Sequence, residues 1–314
     1  MSPTPTPTPS AAREIADALP NPIALAGIEY IEYATSKPQA LGHVLETLGF
    51  KPVARHRSRE VLLYRQGGTN IIVNAHPGVL RGMKAPDESP RISAIALRVR
   101  DAQSAYERLL ERGAWAVPMH AQVMELNIPG IHGPGGSHIY FVDRWQEFSI
   151  YDVDFTPIPG VDPHPPATAG LHLFGVVQYI GADRTEDWVA FYRELMGFGE
   201  LPAGQRFGIL PKGTLLQSPC QSFFLQLIEP DPLVLDNTES FQRIGLGAPD
   251  IAAAVQTLRG RGVEFVESTK THTDERGALT RTYLGTVMFE LVRDPRIATG
   301  TAPGVSATAA TGAA

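Results

Sequence analysis

Cysteine is almost missing from this chain: Cys220 is the only one in 314 residues. That excludes a disulfide framework and a zinc site built from thiolates, and it suits a reducing compartment. A basic excess is missing too. Lys and Arg number 27 against 33 Asp and Glu, a net charge of −6 with a pI near 5.9, the opposite of a general nucleic-acid binder. There is no run of about 18 apolar residues of the kind that spans a bilayer. The start, MSPTPTPTPS, lacks the basic and apolar segments of a secretory signal. These absences predict a cytoplasmic protein with neither nucleic acid nor membrane as partner. Apolar residues, at 43%, are plentiful enough for real cores, and the length suggests about two domains.

The organisation follows from composition and repetition. Residues 1–20 and the tail 297–314 are rich in Pro, Thr, Ser, Ala and Gly; neither can bury enough surface to offset its ordering entropy, so both are expected to be disordered. The Pro-rich stretch 157–169 reads as a linker. It separates an N-terminal domain, 21–156, from a C-terminal domain, 170–296, and the two repeat each other. ISAIALRVRDAQSAYERLLERGA in the first is echoed by FQRIGLGAPDIAAAVQTLRGRGV in the second. In each, a strand-like run ends at an Asp suited to cap the next helix, Asp101 or Asp250, and that helix stops at a Gly, Gly113 or Gly262. GIEYIEYATSKPQALGHVLETLGF is echoed by LFGVVQYIGADRTEDWVAFYRELMGF, and both close on Gly-Phe. The unit is strand, helix, several strands, present four times. This predicts an α+β fold of four βαβββ modules paired into two similar domains.

On these stretches, and on MELNIPGIHGPGG, IYFVDRWQEFSIYDVDF and VMFELVRD, the chain resembles the vicinal oxygen chelate superfamily and, within it, the bacterial 4-hydroxyphenylpyruvate dioxygenases. The likeness spans about residues 20–295, strong in the first half and thinner in the second. It implies a homo-oligomer acting on a small-molecule acid, with Fe(II) held in the second half by two His and one Glu. Such a triad leaves exchangeable positions on the iron. Carried over residue by residue, the first His falls on Gly175, the second on Arg243, and the Glu is retained as Glu290. Pocket positions fall on Gly213, Ile228, the retained Gln242, and at or beside Arg281. The closing C-terminal helix has no counterpart. In the first half the two His positions fall on Tyr30 and about Ala94.

A glycine offers no ligand and a guanidinium is a permanent cation, so no bound metal is expected. His172 and Gln178 stand three residues from Gly175 along a strand, which directs them to the opposite face. No His pair shows an adjacent-strand spacing that would rebuild the site. Three readings stay open. Arg243 and Glu290 form a buried ion pair in a non-catalytic partner or regulator. Alternatively, Arg243 receives a small, perhaps aromatic, carboxylic or 2-oxo acid, with Glu290 as general base in metal-free chemistry; Gly175 is expected to leave volume beside it. Finally, the protein is an oxygenase with an atypical Fe(II) site.

Overall fold

The computed structural model describes residues 21–82, 89–118, 126–146, 148–202, 207–209, 213–231, 238–269 and 271–294. The termini expected to be disordered lie outside them.

The first module is β1 (Gly27–Ala34), helix α1 (Pro38–Thr47), β2 (Lys51–His56), β3 (Val61–Gln66) and β4 (Thr69–Asn74), followed by the short α2 (Pro77–Gly82). The second is β5 (Arg91–Arg98), α3 (Ala102–Glu111), β6 (Gly130–His132) and β7 (His138–Val142), with α4 (Ile150–Asp154) and β8 (Phe155–Pro157) closing the half. The third is β9 (His172–Tyr179), α5 (Thr185–Met196), β10 (Gly199–Glu200), β11 (Thr214–Gln217) and β12 (Phe224–Ile228). The fourth is β13 (Ser240–Ala248), α6 (Ile251–Gly260), β14 (Gly277–Leu279) and β15 (Phe289–Arg293).

Each half is one mixed sheet. Eight strands run β6-β7-β5-β1-β4-β3-β2-β8 in the first, and seven run β10-β11-β12-β9-β13-β15-β14 in the second. The first strands of paired modules lie antiparallel at the centre, β1 beside β5 and β9 beside β13. The predicted α+β architecture is thus the observed one.

The caps follow the repeat. The Asp101 carboxylate accepts from the Ser104 N–H at 2.7 Å and that of Asp250 from the Ala253 N–H at 3.0 Å, each satisfying an orphan donor of the first turn. Gly113 and Gly262 hold left-handed φ of 93° and 95° just past their helices, where a Cβ is disfavoured. The preceding arginines clip the two halves together. Arg112 donates to the Glu194 carbonyl at the end of α5, and Arg261 donates to the Glu46 and Thr47 carbonyls at the end of α1. Cations at helix C-termini are favourable there.

Helices cover one face of each sheet, and the helix-side core is continuous through both halves, from Ile31, Leu45 and Leu109 to Tyr192, Leu258 and Phe289. The opposite, concave faces carry separate, smaller apolar clusters. The Pro-rich segment runs along the first sheet: Ile158 N–H donates to Val53, Gly67 N–H to Pro165, and the Arg65 guanidinium to the Pro163 carbonyl. Asp250→Ala should cost about 1 kcal/mol, read as a lower urea midpoint at unchanged slope.

Candidate functional site

Strand register brings the three positions together. Gly245 on β13 is paired on one side with Gly175 on β9 and on the other with Glu290 on β15. Arg243 lies two residues along β13, so it shares the concave face. Its Nε donates to Glu290 Oε2 at 3.3 Å, with both side chains 4% exposed or less. Its Nη1 donates to Gln242 Oε1 at 3.2 Å, while its buried Nη2 has no hydrogen-bond partner. Gly208, at φ +65°, lies against the Glu290 carboxylate where a Cβ would overlap Oε1. This loop glycine, invisible to the sequence reading, lets the chain close over the pair.

The rest of that face is filled. Phe174 packs against Phe224 and Phe207, with ring centroids 4.9 and 5.1 Å apart, and Val292 joins them. Gly175 does not leave the expected volume, because the Phe224 backbone carbonyl occupies the place of its missing Cβ. The register slips between Gly245 and Leu246, so Phe174 and Gly175 together face Gly245 as a β-bulge. The bulge reverses the strand's alternation. His172 therefore shares the face of Gly175, contrary to the expectation from a regular strand, and lies across Gly247 to reach Asp294 Oδ2 at 2.9 Å. Gln178 does turn to the helix side, accepting from the Tyr192 hydroxyl at 2.6 Å.

The remaining predicted positions scatter. Gly213 and Ile228 meet at the far end of β11 and β12. Arg281 is 68% exposed and pairs with Glu264 at 3.3 Å, away from Arg243. One carboxylate, one guanidinium and one backbone-blocked glycine do not fit Fe(II). Among the described residues no group of three or more His, Cys, Asp or Glu side chains is placed to hold a metal.

The first half holds a different site, which the sequence reading missed. A cavity of about 1260 Å³ lies against the concave face of its sheet, walled at one end by Ser240, Gln242 and Met288 of the second half. Two rows of the sheet supply part of its lining, Tyr30, Glu32, His138 and Tyr140, from either side of buried alanines. Tyr30, Ala96 and Tyr140 are in register over β1, β5 and β7, and so are Glu32, Ala94 and His138. Ser93, at a second bulge, donates from Oγ to Glu32 Oε1 at 2.6 Å, and Asn74 donates from Nδ2 to Oε2 at 3.2 Å. Burial pushes the Glu32 carboxyl above the usual carboxylate range, against the pull of Ser93, Asn74 and Arg59. Burial, and then the neighbouring His132, hold His138 below the usual imidazole value. His132 and His138 are direct partners across β6 and β7, centroids 5.6 Å apart; this is an adjacent-strand pair that the spacing argument had excluded. The signal was available in the strand alternation EYIEYA and HIYFV, where Tyr30, Glu32, His138 and Tyr140 fall on one face.

Gly175→Ala should cost about 1–3 kcal/mol by overpacking against the Phe224 carbonyl, measured by denaturant unfolding; an unchanged midpoint would mean that the space is open after all.

Residues 19–156 match the family described as "Hydroxyphenylpyruvate dioxygenase, HPPD, N-terminal". The chain is 37% identical over 255 residues to the 4-hydroxyphenylpyruvate dioxygenase of Pseudomonas sp. (strain P.J. 874), covering 80% of this chain and 68% of that one. Among solved structures, a xylose isomerase-like TIM barrel/4-hydroxyphenylpyruvate dioxygenase fusion protein superposes with a TM-score of 0.68 at 23% identity, over 90% of this chain and 53% of that one. A mutant 4-hydroxymandelate synthase from Streptomyces coelicolor superposes with 0.66 at 18% identity, over 90% and 97%. At those identities the two structures speak for the fold. Sequence and fold together make this chain a member of the 4-hydroxyphenylpyruvate dioxygenase family within the vicinal oxygen chelate superfamily.

Proposed function

We propose that this chain is an iron-independent member of its family that binds a small carboxylic or 2-oxo acid without oxygenating it. The observation that carries this reading is the buried Arg243–Glu290 pair at 3.3 Å, whose cation falls, by the residue-by-residue carry-over, on a position where the resembled enzymes have a metal ligand. Fe(II) brought beside a guanidinium would meet like-charge repulsion in a site of low dielectric. The similarity to a 4-hydroxyphenylpyruvate dioxygenase supports a 2-oxo acid as the ligand class. Arg243 is 3% exposed and does not itself line the large cavity, so its charge reaches an acid through its neighbour. Gln242 connects it to the large cavity, since it accepts from Arg243 Nη1 and also lines that cavity.

Glu290 is less suited to act as a base here than the sequence alone suggests. It is salt-bridged to Arg243 and covered by Gly208, so it has no open approach for a substrate proton within hydrogen-bonding reach. Binding is therefore favoured over metal-free turnover.

Purified protein loaded anaerobically with Fe(II) and desalted should retain far less than one iron per chain, and should consume no oxygen with 4-hydroxyphenylpyruvate. One iron per chain together with oxygen uptake would overturn the reading in favour of an atypical oxygenase. Thermal shift with phenylpyruvate should show stabilisation that scales with ligand concentration; no shift with any 2-oxo acid would leave the non-catalytic partner as the better account.

A further inference from the structure

Gln242 stands at a register slip in β13, between Phe241 and Arg243. A bulge there breaks the alternation of side chains, so Gln242 touches Arg243 and still lines the cavity of about 1260 Å³. Its amide has a fixed orientation. A guanidinium only donates, so the atom facing Arg243 Nη1 at 3.2 Å is the amide oxygen, and Nε2 is turned away from the cation. Among the described residues the only partner of Nε2 is Met288 Sδ at 3.9 Å, a weak acceptor whose residue also lines the cavity. The wall supplied by the second half therefore presents an N–H donor, with a buried cation behind its carbonyl.

The wall supplied by the first half presents an acceptor. Glu32 lines the same cavity and is half-buried. Ser93 donates to one of its oxygens and Asn74 to the other, and the His76 N–H orients Asn74 by donating to its Oδ1 at 2.9 Å. Both donors to the carboxylate are neutral, and Arg59 acts on it only through its field. A carboxylate with one bond to each oxygen keeps a lone pair on each. Burial holds the carboxyl above the usual range, as expected of a charge without a paired cation. Of the two other carboxylates in the described lining, Glu239 lies 3.8 Å from the Arg184 guanidinium and Asp154 accepts the Leu126 N–H at 3.2 Å. The walls are tied together on both flanks. Gly135, ahead of β7, lies against the Glu239 carbonyl, and the Thr286 hydroxyl donates to the Pro90 carbonyl, ahead of β5. Glu32 and its partner Ser93 lie within a few residues' register of these ties, so the cleft between the two walls is formed before any ligand enters.

We propose that the cleft between the two halves takes a small amino-bearing carboxylic acid, its carboxylate accepting from Gln242 Nε2 and its ammonium donating to Glu32. The inference rests on the acid-binding reading above and adds the second group that the site recognises. Both contacts are made with side chains that line the cavity. The ammonium supplies the counter-charge that Glu32 lacks, and Arg243 draws the carboxylate through the Gln242 amide that it orients. A ligand with only one of the two groups satisfies only one wall.

The test titrates the full chain calorimetrically with two matched pairs, phenylalanine against 3-phenylpropionate and 6-aminohexanoate against hexanoate. Phenylalanine carries its ammonium beside the carboxylate and 6-aminohexanoate at the far end of the chain, so the pair that responds gives the spacing. In at least one pair the amino acid should bind at least tenfold more tightly than its partner without the amine. Glu32→Gln keeps the size and a polar group but no charge; it should erase that advantage and leave the plain acid unchanged. Gln242→Glu keeps an acceptor for Arg243 but replaces the N–H donor with an oxygen, and should weaken the amino acid at least tenfold. No advantage in either pair overturns the inference on the parent protein alone, whether or not a variant folds. An advantage that survives Glu32→Gln, or affinity unchanged in Gln242→Glu, overturns it as well. A phenylpyruvate thermal shift without any gain from the amine would sink the amino-bearing ligand and leave acid binding standing, whereas no response to any of these compounds would sink both.

Discussion

Arg243 and Glu290 are taken out of water together, and much of the second half depends on that. Removing two charges from solvent costs several kcal/mol each, which their attraction offsets only when geometry and further hydrogen bonds are good. Here the guanidinium has Glu290 and Gln242 as partners, and Gly208 closes the carboxylate side. The phenylalanines on the same face supply the apolar surroundings that make the pair strong once formed and costly to break. A metal would need the space and the lone pairs that the pair now uses.

The two halves differ in character. The second presents a packed face, while the half matched by the family model presents a polar cavity. The difference reduces to a few residues in register. Where the first sheet has Tyr30, Ala96 and Tyr140 across its centre, the second has Gly175, Gly245 and Glu290. The ring of Phe174 turns inward at the bulge and fills the second floor.

The fold was legible because repetition multiplies weak signals. A single Asp before a helix is a modest indication, but Asp101 and Asp250 at matching places in matching units made the module boundaries readable, and both cap as expected. The convergence of Gly175, Arg243 and Glu290 was legible only through the family resemblance, which put all three at one site, and strand register does bring them together. What escaped were departures from regular alternation. The bulge at Phe174 moved His172 to the face that a regular strand denies it, and the one at Ser93 turned a hydroxyl onto Glu32. A bulge is a one-residue insertion with no composition of its own at these sites, so periodicity could not mark it. Nor could sequence show that a distant carbonyl, that of Phe224, takes the room beside Gly175, or that Arg281 pairs with Glu264 at the surface.

The account stands on the coupling between Arg243 and Glu290, and a double-mutant cycle with Arg243→Met and Glu290→Leu measures it. Each single substitution leaves an uncompensated buried charge and should cost about 3–5 kcal/mol, while the double substitution should come back close to the parent or above it. Two small single effects that simply add would show that the guanidinium and the carboxylate do not neutralise each other in the folded protein, and would contradict the claim that a buried ion pair organises this face of the second half.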